Sequence, residues 1–146
     1  SEYCDKMINQ LKTLKMLLIH DIVEIDAGDT FAYDLEAQKA KKEKEVKAAN
    51  RIFSLLPLEQ EKEYRDLWHE FEENITPEAR FANAIDKFQA FVQNLHSNGS
   101  TWRKHGIKKS QVLERAESIK SISQDLYDLT VKLLDDAVRR NILRDG

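Results

Sequence analysis

The sequence has few residues that can form disulfides or interrupt helices: one cysteine, two prolines and four glycines in 146 residues. The single thiol, Cys4, excludes a disulfide framework and a cysteine-rich zinc site. No run approaches the roughly 18 apolar residues that a membrane-spanning helix needs, and no signal-peptide pattern opens the chain. These absences predict a soluble cytoplasmic protein with no membrane partner.

The sequence also lacks an excess of positive charge. Lysine and arginine total 23 against 26 aspartate and glutamate residues, for a net charge of −3. A nucleic-acid-binding surface is usually basic, so we expect no nucleic-acid partner. The charge does not exclude an anionic small molecule, because a bound divalent cation can reverse the sign of the local field.

Apolar residues recur at helical spacing along the whole sequence, and no segment of strand length alternates with a period of two. A first helix is predicted to end at Gly28, since glycine tolerates positive φ. Its single apolar stripe comprises Met7, Leu11, Leu14, Leu18, Ile22 and Ile25. A second helix is predicted over 34–56. Its charged middle is typical of a solvated face, and its apolar side carries Val46, Ala49, Phe53 and Leu56.

The second half of the chain continues the helical pattern. A third helix follows Pro57 and carries Tyr64, Leu67, Trp68 and Phe71. Thr76 and Pro77 suit the cap and first position of a fourth helix, whose apolar side is Phe81, Ile85, Phe88, Val92 and Leu95. We predict a loop over 96–106 that Trp102 anchors, with stacking on a base as the alternative. One long last helix capped by Ser110 follows, with a stripe of Val112, Ala116, Ile119, Leu126, Leu133 and Ala137. The sequence therefore predicts one all-α domain over 1–146.

The segment LLIHDIVEIDAGD, residues 17–29, places His20 and Asp21 side by side among apolar neighbours. Glu24 lies one helical turn after His20, and Asp29 follows the turn at Gly28. Imidazole and carboxylate together suit a divalent transition metal, and further acids could position or deprotonate a water. A His-Asp pair alone is common and is usually not a metal site. However, acids at a helix C-terminus oppose the helix dipole, and broken local rules concentrate at functional sites.

Four segments together resemble the HD-domain metal-dependent phosphohydrolases, most closely the branch of 5′-deoxynucleotidases. They are LKMLLIHDIVEIDAGDTFAYD (14–34), IFSLLP (52–57), LWHEFEENITPEARFANAIDKFQAFVQN (67–94) and STWRKHGI (100–107). The resemblance covers most of residues 7–113, with several motifs in the family's order. It implies a compact, all-α HD-domain fold.

The resemblance also implies a site. In the family, the His-Asp doublet and a distal aspartate before lysine bind the metal; here they are His20, Asp21 and Asp86. The acids that match the family's catalytic positions are Glu24 and Asp29. One divalent ion such as manganese or cobalt would then activate water to remove the 5′-phosphate of (deoxy)ribonucleoside monophosphates. Substrate-binding residues, base and sugar remain open, and a homodimer is expected, with exposed apolar positions of the last helix as its interface.

The sequence departs from the family pattern upstream of the doublet. The family's first metal-binding histidine and an arginine that contacts phosphate lie there, yet the nineteen residues before His20 include neither type. We therefore expect an N-terminally incomplete domain with three of four protein ligands, and weak or depleted metal. His69, His96 and His105 are expected on the surface.

The rival hypothesis is a helical scaffold or interaction protein that keeps the HD core without turnover. The retention of Glu24 and Asp29, which a scaffold would not need, favours the enzyme.

Overall fold

The computed structural model describes residues 3–29, 33 and 35–145, without the side chains of 35–40. The described helices are α1 (Gln10–Ile19), a 3-10 turn (His20–Val23), α2 (Glu24–Ala27), α3 (Leu35–Phe53), α4 (Leu58–Glu73), α5 (Pro77–His96), α6 (Ser100–His105), α7 (Lys109–Lys120) and α8 (Gln124–Arg139). Within these ranges there is no strand, only an isolated bridge between Lys108 and Arg144. The all-α prediction is confirmed. Residue 34, the predicted start of the second helix, lies outside the described residues.

Local capping explains where the first helical segments begin and end. The Asn9 side chain accepts a hydrogen bond from the Lys12 amide at 3.1 Å, which caps α1. The backbone then tightens into the 3-10 turn that starts at His20. Gly28 ends α2 with φ +77°, and its amide donates to the Glu24 carbonyl at 2.8 Å. The predicted role of Gly28 as the end of this segment is confirmed.

The apolar stripe predicted for the first helix faces solvent. Leu11, Leu14 and Leu18 are more than half exposed, and Ile25 is 77% exposed. The buried face instead carries Thr13, Met16, Ile19 and Val23. This segment is apolar on more than one side, so helical spacing alone fits two faces and does not select the one that packs.

Three further predictions for the second half of the chain are wrong. The loop over 96–106 contains the short helix α6, from Ser100 to His105. The last long helix is divided into α7 and α8, because the Ser123 hydroxyl accepts from the Leu126 amide at 3.1 Å and caps a new helix. Helix α7 begins at Lys109, with Lys108 rather than Ser110 in the capping position.

The helices enclose two apolar clusters that meet at α5. One cluster is formed mainly by α1, α3 and α4 and includes Ala79 and Ala82 of α5. The other is formed mainly by α7, α8 and the Trp102 region and includes Phe81 and Ala84 of the same helix. Helix α5 therefore packs on both sides, and its polar positions between the clusters are held at a fixed place in the fold. Among the described helices, none is long and apolar enough to cross a membrane.

Gly99 provides a stability test because the chain passes close to Ile142 there. A Cβ at Gly99 would lie 2.4 Å from the Ile142 carbonyl oxygen, whereas one at Gly106 would meet only the flexible Arg144 guanidinium at 3.4 Å. Both glycines have left-handed backbones, with φ +69° and +63°. We expect Gly106→Ala to lower the free energy of unfolding by ~1 kcal/mol from backbone strain. Gly99→Ala should lose at least a further ~1–3 kcal/mol from overpacking. Equal urea midpoints for the two variants would contradict this.

Candidate metal and catalytic site

All five residues singled out from the sequence line one pocket of about 590 Å³. The 3-10 turn and α2 supply His20, Asp21 and Glu24, and Asp29 follows the turn at Gly28. Asp86 comes from the middle of α5. The remaining described lining residues are Lys41, Glu45, Phe71, Glu72, Asn83, Ala90 and Arg115. The fold thus brings the doublet and the distal aspartate together, while their roles remain predictions.

The His20 ring is oriented so that one nitrogen is committed to the backbone. Its Nδ1 lies 2.9 Å from the Leu17 carbonyl oxygen. Because a carbonyl only accepts, Nδ1 must carry the hydrogen, and Nε2 of the neutral ring keeps its lone pair. The Phe71 ring packs on the imidazole with a centroid separation of 4.6 Å. A backbone-fixed tautomer of this kind is the usual arrangement of a metal-binding histidine.

The other nitrogen of His20 faces two carboxylates. Nε2 lies 3.1 Å from Asp21 Oδ1 and 3.4 Å from Asp86 Oδ1, yet it is buried and forms no well-aligned hydrogen bond. Burial of the ring opposes its protonation, but Asp86, Asp21 and the Leu17 carbonyl outweigh it and raise the pKa of His20. A buried polar atom without a hydrogen bond is costly, and it marks a place where a cation could be accepted.

The donor set fits a divalent cation in its chemistry. Two donors that each lie about 2.1 Å from one cation are separated by roughly 3.0–3.4 Å, as His20 Nε2 is from its two carboxylate neighbours. As the side chains stand, no group of three or more His, Cys, Asp or Glu in the described part of the chain is placed to hold a metal ion. The Asp21 and Asp86 side chains are 70% and 43% exposed. Such exposed carboxylates can adopt other rotamers at small cost, so the residues suit a metal that orders them on binding.

Glu24 belongs to a second group of charged side chains in the pocket, with Lys41 and Glu45. Its Oε1 is 3.4 Å from Lys41 Nζ, which is also 3.0 Å from the buried Glu45 carboxylate. Desolvation and then the charge of Asp29 raise the pKa of Glu24, while Lys41 partly opposes them. A carboxylate with a raised pKa that is held beside a cation is suited to proton transfer near neutral pH.

Sequence reasoning missed Lys41, Glu45 and Arg115 as pocket residues. The sequence predicts a solvated face for the charged middle of α3, yet Glu45 is only 7% exposed. One signal was available: Glu45 precedes the buried pair Ala48 and Ala49 by three and four positions, so it lies on their side of the helix. Arg115 likewise lies three positions after Val112 and four before Ile119, two residues of the predicted apolar stripe, but no motif marked it.

The remaining singled-out residues lie away from the pocket lining. His69, His96 and His105 are exposed, as expected. Asp26, which lies between Glu24 and Asp29 in the sequence, is also outside the pocket lining: it pairs with Arg51, whose hydrogen bonding and charge lower the pKa of that carboxyl. Trp102 is 2% exposed in the apolar cluster, which confirms that it anchors its segment.

The comparisons with known proteins agree with this geometry. The family model described as HD domain matches residues 1–127, and the chain belongs to this family. A crystal structure described as a predicted metal-dependent phosphohydrolase, from Magnetospirillum magnetotacticum MS-1, is similar with a TM-score of 0.90 and 44% identity, and the match covers 98% of this chain and 71% of that one.

Among curated proteins, the chain is similar to 5′-deoxynucleotidases. The protein of Xenopus laevis is 33% identical over 91 residues, which are 62% of this chain and 45% of that protein. The protein of Dictyostelium discoideum is 36% identical over 88 residues, 60% of this chain and 46% of that protein. The matched region thus spans less than half the length of these relatives.

Proposed function

We propose that this chain is a metal-dependent phosphomonoesterase that releases the 5′-phosphate of deoxyribonucleoside monophosphates. The observation that carries the proposal is the buried Nε2 of His20, which has no hydrogen bond and faces Asp21 and Asp86. The similarity to 5′-deoxynucleotidases supports this substrate class. The partner is therefore a small nucleotide, and no nucleic-acid partner is proposed.

In this proposal His20, Asp21 and Asp86 hold one divalent ion, such as manganese or cobalt. When bound, such an ion lowers the pKa of water and offsets charge on the phosphate oxygens. The carboxylate of Glu24 takes the proton from the attacking water, and Asp29 orients that water from the end of the same segment. Lys41 keeps the Glu24 carboxylate in place through the 3.4 Å contact.

The charge of the pocket also favours a cation. Six described lining residues are acids (Asp21, Glu24, Asp29, Glu45, Glu72 and Asp86), against the cations Lys41 and Arg115. A phosphate dianion would be repelled by this lining unless further positive charge were bound there. A divalent ion held by the doublet and Asp86 supplies that charge at the place where the phosphate must react.

Asp86→Asn tests the proposal, with Asp66→Asn as the matched control. Asp66 also lies on a helix, but its side chain is 64% exposed and pairs with Lys62 at 3.2 Å, away from the pocket. We expect Asp86→Asn to weaken manganese binding by more than about tenfold, since loss of even a supporting partner costs that much. Phosphate release from deoxynucleoside monophosphates should fall in parallel, and Asp66→Asn should leave both unchanged. Calorimetry with manganese and a colorimetric phosphate assay give the two readouts.

A scaffold or interaction role without turnover is the second candidate. It is favoured by the finding that no three potential ligands in the described residues are already placed to hold a metal. Absence of phosphate release from a folded protein, with manganese or cobalt and each of the common deoxynucleoside monophosphates, would favour the scaffold and contradict the enzyme.

A further inference from the structure

The C-terminal turn of α4 is joined to α5 by an asparagine side chain. The last four carbonyls of a helix have no partner within it, and in α4 the Glu70 carbonyl accepts from the Asn74 amide at 3.1 Å. The next carbonyl, that of Phe71, accepts instead from Asn83 Nδ2 at 2.9 Å. The Asn83 side chain therefore closes the end of α4 from the neighbouring helix.

The orientation of the Asn83 amide is determined by its two neighbours. Besides the Phe71 carbonyl, Nδ2 contacts the Ala79 carbonyl, one turn earlier on α5, at 3.0 Å. Because both neighbours only accept, the NH₂ end of the amide must face them, and both of its hydrogens are used. The side chain thus makes one hydrogen bond to its own helix and one to α4.

Phe71 carries this connection to His20. Its side chain is 6% exposed in the cluster formed mainly by α1, α3 and α4, and its ring packs on the imidazole with 38° between the two planes. The bond from His20 Nδ1 to the Leu17 carbonyl fixes one edge of the imidazole, and the Phe71 ring restrains its plane. Since a packed interior transmits small shifts, movement at the end of α4 would turn the imidazole and displace Nε2.

The same helix supplies the distal aspartate. Asp86 is three residues after Asn83, so the two lie on one side of α5, and both line the pocket with His20. Helix α5 thus presents Asp86 directly and restrains His20 through the end of α4. The separation of 3.4 Å between His20 Nε2 and Asp86 Oδ1 depends on both contacts.

Resting on the proposed function, we propose that Asn83 is a positioning residue that holds His20 Nε2 in place for the metal ion, through the carbonyl and the ring of Phe71. In this role Asn83 touches neither the ion nor the substrate. Its replacement leaves the ligands of the ion chemically unchanged and disturbs their placement. Metal affinity therefore reports on Asn83 even though it is not a ligand.

Asn83→Ala tests this role with two readouts on the folded protein. The first is the affinity for manganese, which we expect to fall about tenfold, the lower end of the usual cost of losing a supporting partner of a metal ligand. The second is the position of the His20 ring-proton resonances in the metal-free protein at fixed pH, which the ring current of Phe71 displaces. We expect these resonances to shift, because the two rings should no longer keep their centroid separation of 4.6 Å.

Asn83→Ser is the milder variant, and it serves if Asn83→Ala does not fold. A serine hydroxyl on a helix bonds the carbonyl four residues earlier, here that of Ala79, but it is too short to reach Phe71. It therefore keeps the bond within α5 and loses the one to α4. We expect Asn83→Ser to weaken manganese binding and shift the His20 resonances as Asn83→Ala does.

Asn94→Ala is the matched control. Asn94 lies on the same helix and donates to the Ala90 carbonyl at 3.1 Å, which is the same bond to the preceding turn. It is not among the described residues that line the pocket. This variant should bind manganese like the unmodified protein and leave the His20 resonances where they are.

A double-mutant cycle tests the route through the ring. Phe71→Leu removes the ring but keeps the backbone carbonyl that Asn83 binds. If Asn83 acts through the ring, Asn83→Ala should weaken manganese binding much less in the Phe71→Leu protein than in the unmodified one. Equal losses in both proteins would overturn the route.

Unchanged manganese affinity in Asn83→Ala, whatever its stability, would reduce Asn83 to a contact between two helices and overturn the proposal. Weaker manganese binding with unshifted His20 resonances would overturn it as well, since Asn83 would then act elsewhere. No manganese binding by the unmodified protein would contradict the proposed function along with the positioning role. Normal binding by the unmodified protein and by Asn83→Ala would contradict the positioning role alone, so the two failures are distinguishable.

Discussion

Glu24→Gln is expected to lower the turnover of the proposed reaction by about 10²- to 10⁴-fold, the usual contribution of a general base. Glutamine preserves the size of the side chain but cannot accept the proton of the attacking water. Desolvation and Asp29 raise the pKa of Glu24, so activity of the unmodified protein should fall as the pH drops through a value above that of an ordinary glutamate. Initial rates of phosphate release as a function of pH, for both proteins, provide the measurement.

The same variant should not unfold the protein. A glutamate whose pKa is raised by folding binds its proton more tightly in the native state, so its stabilising effect is present at low pH and lost as the pH rises through the folded pKa. At neutral pH the ionised Glu24 carboxylate therefore destabilises the folded state, and its replacement by glutamine should leave the melting temperature equal or higher. Lys41 keeps its 3.0 Å partner, Glu45. A variant with full activity, or one inactive only because it melts earlier, would contradict the assigned role.

Most of the candidate site could be predicted from the sequence because four of its five residues lie close together along the chain. His20, Asp21, Glu24 and Asp29 fall within ten positions, and Gly28 marks the turn between them. Asp86 needed the family resemblance, because nothing in the periodicity of α5 distinguishes it from other polar residues beside the apolar face. Its position at 3.4 Å from His20 is a tertiary result of packing α5 between two apolar clusters.

The wrong predictions about which helix faces are buried and where helices end have a common physical origin. Helical spacing reports that a segment can be helical, but not which side its neighbours cover. Over α1 and the 3-10 turn, Leu11, Leu14 and Leu18 form one stripe and Met16, Ile19 and Val23 form another. The second stripe is the one that packs in the cluster with Ala49, Phe53 and Trp68. Short polar residues also act locally: Ser123 starts a new helix in a stretch where the apolar pattern continues without interruption.

Charged pocket residues were the hardest to find for the same reason. A run of lysine and glutamate normally solvates a helix face, and most of the described charges of α3 are exposed. Lys41 and Glu45 depart from that rule because α3 packs beside the 3-10 turn. There Lys41 pairs with both Glu24 and Glu45. Hydrophobic periodicity cannot predict which charges of such a run a neighbouring helix covers.

Trp102→Ala is expected to lower the free energy of unfolding by ~3–5 kcal/mol, the usual cost of deleting a large aromatic side chain from a packed core. The indole is 2% exposed in the cluster formed by α5, α7 and α8, and it joins the short helix α6 to that cluster. Leu58→Ala is the control, because Leu58 is 82% exposed and its loss should change stability by no more than ~0.5 kcal/mol. Urea unfolding followed by circular dichroism compares the two. If Trp102 instead stacked on a bound base, Trp102→Ala would retain its urea midpoint and lose affinity for deoxyadenosine; that pair of results would remove its structural role.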